Sequence, residues 1–590
     1  MELMSGSLSY ANLNALWGTF AVETLAGLGL HYAIISPGSR SAPITWAFAM
    51  NEKVKAVPVL DERSAAFFAL GIARRTRTPV AVVATSGTAG ANFFPAIIEA
   101  AEAGVPLLVF TADRPAELRD CRAGQTIDQQ KLFGGFPRWQ TELLLPEPSS
   151  GIFRYLRQTL AHAWEISQGP APGPVHINVP FREPLAPVAD ESVRSLEKTD
   201  AISGLLKRIG PVMPARSRIS HEETQAFVDY WKRSEAGVIV AGPAQPFDAA
   251  GYCRSVGRLA KVLGWPVLTD GLSPIRNFHE AVPGLVSRYE FILRAGSHSD
   301  TLRPHRVLQI GALPAGKGLR SWLKESAAET FVIDPGNRNL DPLHGNTRYL
   351  RTRIEDLSAA ITASEKAFPA YLSRWLDIER RALTLTSEAL EREESLFEGK
   401  IAWLLSRHIP VDTPCFVSSS MPVRDIEYFW EPGNRHVRPY CNRGVNGIDG
   451  TLSTAMGVCH DNRPGILLTG DLGLLHDSNG FLNVPRFRGG LTILLINNRG
   501  GGIFEKLPMA NFDPPFEEFF ATPQQVDFQV LTSAYNVEYR LIESWKQLIA
   551  SIENPAPSGI RLLEIPTDRK QDTAFRDALF PKITEKLDSH

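Results

Sequence analysis

Short runs of branched apolar residues, each closed by a polar or glycine-marked turn, recur along this chain and alternate with helix-like stretches. Tyr32-Ala33-Ile34-Ile35 runs into Ser36-Pro37-Gly38-Ser39-Arg40-Ser41. Ala56 to Leu60 leads into Asp61-Glu62-Arg63 and then a helical stretch of small and apolar residues from Ser64 to Arg75. Pro79 to Ala84 is closed by Thr85-Ser86-Gly87-Thr88, and Val105 to Phe110 by Thr111-Ala112-Asp113-Arg114-Pro115. Gly173 to Pro180 reads as the last strand of this set. Such alternation predicts a doubly wound parallel sheet.

The pattern repeats twice more. Gly237 to Ala241, Pro266 to Leu268, Arg306 to Ile310 and Thr330 to Ile333 form a second set of strands, and a third begins near Thr413. Residues 191–220 are rich in charge, Ser and Pro and read as a linker. Residues 361–410 are charged and helical in pattern. The expected fold class is therefore α/β, with three doubly wound, mainly parallel-sheet domains over 1–190, 221–360 and 411–590.

The most informative stretch runs from Gly465 to Phe504. Ile466-Leu467-Leu468 ends in Gly470-Asp471, and Leu491 to Ile496 ends in Asn497-Asn498, with a helix-like segment between. This predicts a βαβ unit of a buried parallel sheet. Asp471 and Asn498 then share the edge at which such sheets bind ligands. A carboxylate and an amide oxygen are hard donors that suit Mg²⁺ better than zinc or copper. A helix starting after Gly470 would turn free N–H groups toward a phosphate. Metal and helix start together make a diphosphate site.

Composition narrows the function classes. The 590 residues suffice for about three or four domains. A net charge of −2 gives no electrostatic footprint for nucleic acid. No apolar run is long enough to span a membrane, and the amino end lacks a secretory pattern. The five cysteines are scattered and form no Cys-x-x-Cys pair, which fits a reducing, cytoplasmic setting without disulfides or zinc.

Other residues fit catalysis. Glu62 follows an apolar segment and opens a helix, so it falls at a strand's carboxyl end. Buried there, its carboxyl would be raised in pKa and suited to sharing a proton. Ile448 is one bulky residue in the glycine-rich run Gly444 to Gly450. Arg40, Arg114, Arg424 and Arg443 follow strand-like or turn segments, and guanidinium forks match carboxylates. Ser39, Ser420 and Gln125 add neutral hydrogen bonds. A multiply anionic substrate is expected.

The Gly-Asp and Asn-Asn spacing resembles the diphosphate signature of thiamine-diphosphate enzymes. Ile35 to Pro43, Asp61-Glu62-Arg63, Thr85 to Ala89, Thr111 to Pro115, Asn442-Arg443-Gly444, Gly447 to Gly450 and Asn498 to Phe504 together narrow the likeness. They resemble the thiamine-diphosphate carboligases that form 2-succinyl-5-enolpyruvyl-6-hydroxy-3-cyclohexene-1-carboxylate (SEPHCHC) in menaquinone and phylloquinone biosynthesis. The resemblance implies a transferase that decarboxylates 2-oxoglutarate and adds the succinyl carbanion equivalent to isochorismate, releasing CO₂. It implies pyrimidine-binding, central and diphosphate-binding domains, in chain order. A different thiamine-diphosphate decarboxylase or carboligase, and a non-catalytic scaffold, are the alternatives.

Residue roles follow from the same resemblance. Glu62 would activate the cofactor at its aminopyrimidine, and Ile448 would prop it in a bent shape. Asp471, Asn498 and the Gly500 carbonyl would hold Mg²⁺, with Leu472, Gly473 and Ile503 also against the cofactor. Ser420, Arg424 and Arg443 would hold the carboxylate tail of 2-oxoglutarate. Ser39, Arg40, Arg114, Gln125 and Lys317 would face isochorismate, and Ile503 and Phe504 would form apolar walls. Bacterial members carry Lys-Arg where this chain has Lys317-Gly318, so one cation is missing and Arg320 is the candidate replacement. No side chain is evident for the later proton transfers. A homodimer or homotetramer with sites at the subunit interface is implied.

Overall fold

The computed structural model describes residues 11–193, 201–206, 209–210, 213–365 and 369–589. The amino end and part of the linker expected over 191–220 lie outside the described residues. The rest of that linker includes one short helix, Ala201–Leu206.

Among the described residues, every strand pair is parallel and the strands form three six-stranded sheets. The first sheet runs Lys55–Pro58, Tyr32–Ile35, Val80–Ala84, Leu107–Asp113, Pro174–Pro180, Trp139–Glu142 across its width. The third runs Arg438–Tyr440, Pro414–Val417, Gly465–Gly470, Gly490–Asn497, Gly559–Pro566, Glu538–Leu541. Numbered from its own first strand, each has the order 2-1-3-4-6-5. The middle sheet runs Thr347–Leu350, Glu329–Ile333, Arg306–Ile310, Gly237–Ala241, Val267–Thr269, Leu285–Val286. The expected fold class is met in all three.

Central strands are the ones that the apolar pattern announces, because they are buried on both faces. Val80–Ala84 and Gly237–Ala241 are buried at every position. The pattern misses edge strands such as Trp139–Glu142 and Glu538–Leu541, whose residues are half-buried or exposed. The charged stretch expected to be helical contains Ala370–Glu391 and Glu398–His408. The second of these has an almost wholly buried face, with Ile401, Leu404 and Leu405 in an apolar cluster shared with the second and third sheets.

The chain groups into two compact units. One holds Met1–Ala215, Asn442–His460 and Asp477–Arg488, and the other Arg216–Cys441, Asp461–His476 and Gly489–His590. Within the first unit, the helix Glu62–Thr76 starts on Asp61, whose side chain accepts the Ser64 N–H at 2.8 Å. It crosses the helix Thr451–Cys459 at a pair of glycines. A Cβ on Gly71 would lie 2.1 Å from the Thr454 carbonyl oxygen, and one on Gly457 would lie 2.1 Å from that of Phe68. Backbone meets backbone there, so no side chain can give way.

Gly71→Ala is therefore expected to destabilise the protein by about 1–3 kcal/mol or more through overpacking. Chemical denaturation of the variant beside wild type measures it. An unchanged midpoint for Gly71→Ala would refute the close crossing.

Candidate functional site

In a sheet of order 2-1-3-4 the first and third strands send their connections to opposite faces, leaving a crevice at their carboxyl ends. In the third sheet those ends are Val417, followed by Ser418-Ser419-Ser420, and Gly470, followed by Asp471. The helix expected after Gly470 does begin at Asp471, but it spans only Asp471–His476 and gives way to the 3₁₀ turns of Ser478–Arg486. Asp471 is 4% exposed. Its Oδ1 accepts the Leu472 N–H and its Oδ2 the Gly500 N–H, each at 2.8 Å. Burial, with a smaller push from Glu398, raises its carboxyl to about 6.

Asn498 follows the neighbouring strand Gly490–Asn497, and is 6% exposed. Its Nδ2 donates to Glu398 Oε2 at 3.3 Å, whereas its Oδ1 is buried with no hydrogen-bond partner among the described residues. A buried acceptor without a donor is costly, and a cation satisfies it. Among the described residues no group of three His, Cys, Asp or Glu is poised for a metal. The oxygen donors at hand are one carboxylate, one amide and the Gly500 carbonyl, the hard set that Mg²⁺ takes.

Gly500 adopts φ +131°, and a Cβ there would lie 2.4 Å from the Ala521 carbonyl oxygen. Its own carbonyl accepts the Gly502 N–H at 2.9 Å and keeps a second lone pair. Ile503 and Phe504 lie in the 3₁₀ turn Gly502–Lys506, both half-buried, with Phe504 edge-on to Phe520. Arg569 holds this segment. It donates to the Arg499 carbonyl at 2.9 Å and to Glu505 at 2.6 Å, and also pairs with Glu517. In the same crevice Gly473 lies against Ser418, whose Oγ would be 3.1 Å from an added Cβ.

Ser420 caps the helix Met421–Phe429 from the unusual φ +77°, and its carbonyl accepts from Arg424 Nη1 at 2.7 Å. Lys317 is exposed at the start of the helix Lys317–Ser326. Gly318 stands where a side chain would meet Glu290 Oε2 at 3.0 Å, and Glu290 instead accepts the Gly318 and Leu319 N–H groups. Arg320 is turned to the Pro314 carbonyl, to which its Nε donates at 2.8 Å.

The remaining expected residues belong to the first unit. At the same crevice of the first sheet, Ser39 and Arg40 follow the first strand and Ser86 the third. Arg40 Nη1 donates to the Phe181 carbonyl at 3.0 Å, while its Nε is buried without a partner among the described residues. Arg114 donates to Ser86 Oγ and, at 2.7 Å, to the Gln125 carbonyl. Gln125, at φ +59°, donates from Nε2 to the Ser86 carbonyl at 2.9 Å. Burial, and next the positive charge of Arg40, hold the Arg114 pKa below the usual arginine range. Two guanidiniums thus repel each other at a strand edge, with the carboxylates of Asp113 and Glu183 partly offsetting their charge.

Glu62 opens its helix half-buried, not enclosed as the sequence suggested. Arg443 and Ile448, also half-buried, flank the loop that precedes Thr451. Glu99 fastens the start of that loop: it pairs with Arg74 and accepts the Gly444 N–H at 2.9 Å and the Val445 N–H at 2.8 Å. Sequence inspection missed Glu99, Glu398 and Arg569. Their partners are distant in the chain, and the one local sign is a glutamate inside or at the head of an apolar helical run.

Three family models cover most of the chain. The N-terminal TPP binding domain of thiamine pyrophosphate enzymes matches residues 17–132, the middle domain 206–417 and the C-terminal TPP binding domain 427–564. Curated relatives named 2-succinyl-5-enolpyruvyl-6-hydroxy-3-cyclohexene-1-carboxylate synthase match along the whole length. That of Acaryochloris marina is 50% identical, covering 98% of this chain and 100% of the relative. That of a Nostoc species is 51% identical, covering 96% and 97%. A solved benzoylformate decarboxylase from Polynucleobacter necessarius shares the fold at TM-score 0.70 and 14% identity, over 94% of this chain and 98% of its own.

Arg569→Met leaves the largely buried Glu505 side chain without its cation, whereas the more exposed Glu517 keeps Lys570. Breaking a buried pair of this kind costs about 3–5 kcal/mol. Hydrogen exchange is expected to show lost protection first over residues 499–520. Unchanged exchange there would mean that Arg569 does not hold the segment.

Proposed function

The chain belongs to the family of SEPHCHC synthases, thiamine-diphosphate-dependent transferases, and on that premise we propose which of its residues carry the reaction. It forms SEPHCHC. The reaction we assign is decarboxylation of 2-oxoglutarate and conjugate addition of the succinyl carbanion equivalent to isochorismate, with release of CO₂. A different carboligase is not favoured, since full-length relatives carry this one name.

The observation that carries the site assignment is a buried Asp471 carboxylate and an unsatisfied, buried Asn498 amide oxygen, each just after the end of one of two neighbouring strands. Asp471, Asn498 and the Gly500 carbonyl would hold Mg²⁺, with Leu472 and Gly473 beside the diphosphate. The bound cofactor supplies a nucleophilic carbon and an electron sink. Glu62 would hold a proton at N1′ of its aminopyrimidine, and Ile448 would support the cofactor. Ser420, Arg424 and Arg443 would bind the distal carboxylate of 2-oxoglutarate. Ser39, Arg40, Arg114, Gln125 and Lys317 would bind isochorismate. The partnerless Arg40 Nε and the mutual repulsion of Arg40 and Arg114 support an anionic ligand there. Ile503 and Phe504 would keep water from the reacting carbon. Arg320, whose Nε donates to the Pro314 carbonyl, keeps its Nη groups for an anion and remains the candidate for the cation missing at Gly318.

Three wider assignments belong to the same proposal. Residues 1–190, 221–360 and 411–590 are the pyrimidine-binding, central and diphosphate-binding domains, with a linker over 191–220 and a helical connector over 361–410; one sheet in each main span supports this. The protein is a homodimer or homotetramer, as the resemblance implies, with Glu62 of one subunit serving the metal site of another. It is cytoplasmic, in keeping with five free cysteines. Among the described residues no helix is long and apolar enough to cross a membrane.

Purified protein with thiamine diphosphate, Mg²⁺ and 2-oxoglutarate is expected to consume isochorismate, followed by its absorbance. No consumption with cofactor bound would reject the substrate pair. Glu62→Gln is expected to lower kcat by about 100-fold or more, the usual size of a proton-transfer contribution, while Mg²⁺ affinity holds. Full activity in that variant would remove Glu62 from the chemistry.

A further inference from the structure

An asparagine carries a donor and an acceptor on one planar amide, and only the oxygen ligates a cation. Something must decide which end of Asn498 faces the metal. Glu398, 2% exposed at the head of the helix Glu398–His408, meets its nitrogen. A carboxylate accepts and does not donate. It therefore draws Nδ2 inward and leaves Oδ1 turned away, and that oxygen is the one without a partner.

Glu398 is itself fixed. Arg576, 2% exposed, donates from Nη1 to Glu398 Oε1 at 2.8 Å and from Nη2 to Asp425 Oδ1 at 2.6 Å. Asp425 lies in the helix Met421–Phe429, which also carries Arg424 and is capped by Ser420. A buried chain thus runs Asn498–Glu398–Arg576–Asp425. Around the one guanidinium stand three carboxyl groups, Asp425, Glu398 and Asp572. An apolar core of equal volume is often as stable as such a cluster, so stability alone does not account for a chain that ends on a bare amide oxygen.

We propose that Glu398 and Arg576 are positioning residues: Glu398 sets the amide of Asn498 so that its oxygen meets a divalent cation, and Arg576 ties that setting to the helix Met421–Phe429. This rests on the reading of Asp471, Asn498 and Gly500 as the metal ligands. Neither residue touches substrate or cofactor. Their effect passes through Asn498 at one end and through Ser420 and Arg424 at the other.

Calorimetric titration of Mg²⁺ into the full-length protein with thiamine diphosphate tests the first half, on wild type, Glu398→Gln, Asn498→Asp and the double variant. Glu398→Gln is expected to weaken Mg²⁺ by about 10-fold or more, the usual cost of losing a partner behind a ligand, because an amide at 398 accepts either end of Asn498. Asn498→Asp has two equivalent oxygens, so adding Glu398→Gln to it leaves affinity unchanged or tightens it by removing a facing carboxylate. Equal weakening in both backgrounds, or none in either, overturns the proposal. A wild type that binds no Mg²⁺ overturns the metal reading and the proposal together; a wild type that binds it, with Glu398→Gln unaffected, overturns the proposal alone. Arg576→Lys keeps a charge for Glu398 but loses the second arm of the fork. It is expected to raise KM for 2-oxoglutarate and leave KM for isochorismate unmoved, and equal changes in both, or none, overturn the link to the helix.

Discussion

Two oxygen acceptors are buried just beyond the ends of neighbouring strands of a parallel sheet, and one of them finds no donor among the described residues. Asp471 finds two backbone N–H groups, and the Asn498 amide oxygen finds none. In a low-dielectric interior such a deficit is costly unless a cation fills it. The surrounding structure deepens the deficit. Glu398 adds negative charge beside Asp471, and Gly500 brings a further carbonyl into reach through a backbone conformation that suits glycine. Burial, strand register and the glycine run are thus parts of one arrangement, which on the proposed reading a divalent ion would balance.

The first sheet presents the opposite sign by the same geometry. Its strand order matches that of the third, so its crevice lies at the equivalent strand ends. There Arg40 and Arg114 are held by carbonyl oxygens of Phe181 and Gln125 and, for Arg40, by a loose pairing with the exposed Glu183 at 3.4 Å. Backbone carbonyls position a guanidinium without cancelling its charge. One topology used twice thus places buried carboxylate and amide oxygens at the crevice of one sheet and guanidiniums at that of another.

The sequence made the central strands and the Gly470–Asn498 unit legible because both rest on local pattern: continuous apolar runs and polar residues at their ends. It also pointed to arginines in strand-end loops, of which Arg40 proves largely buried. Edge strands such as Glu538–Leu541 escaped, because exposure on one side removes the apolar signal. The supporting charges escaped for a different reason. Glu398 joins residues from three separate stretches of chain, and Glu99 joins a helix to a loop more than three hundred positions away. No spacing rule encodes such partners. The shared strand order of the first and third sheets was also invisible, since no internal similarity accompanies it.

The glycine crossing of Glu62–Thr76 with Thr451–Cys459 bears on how the molecule is made. The first sheet leaves the ribosome long before residue 451, and the whole middle sheet is synthesised in the interval. Until then the flank of Glu62–Thr76 centred on Gly71 lacks the segment that covers it in the folded chain. Exposed apolar surface of that kind invites aggregation during synthesis, so the late arrival of residues 451–459 sets how long this flank stays open.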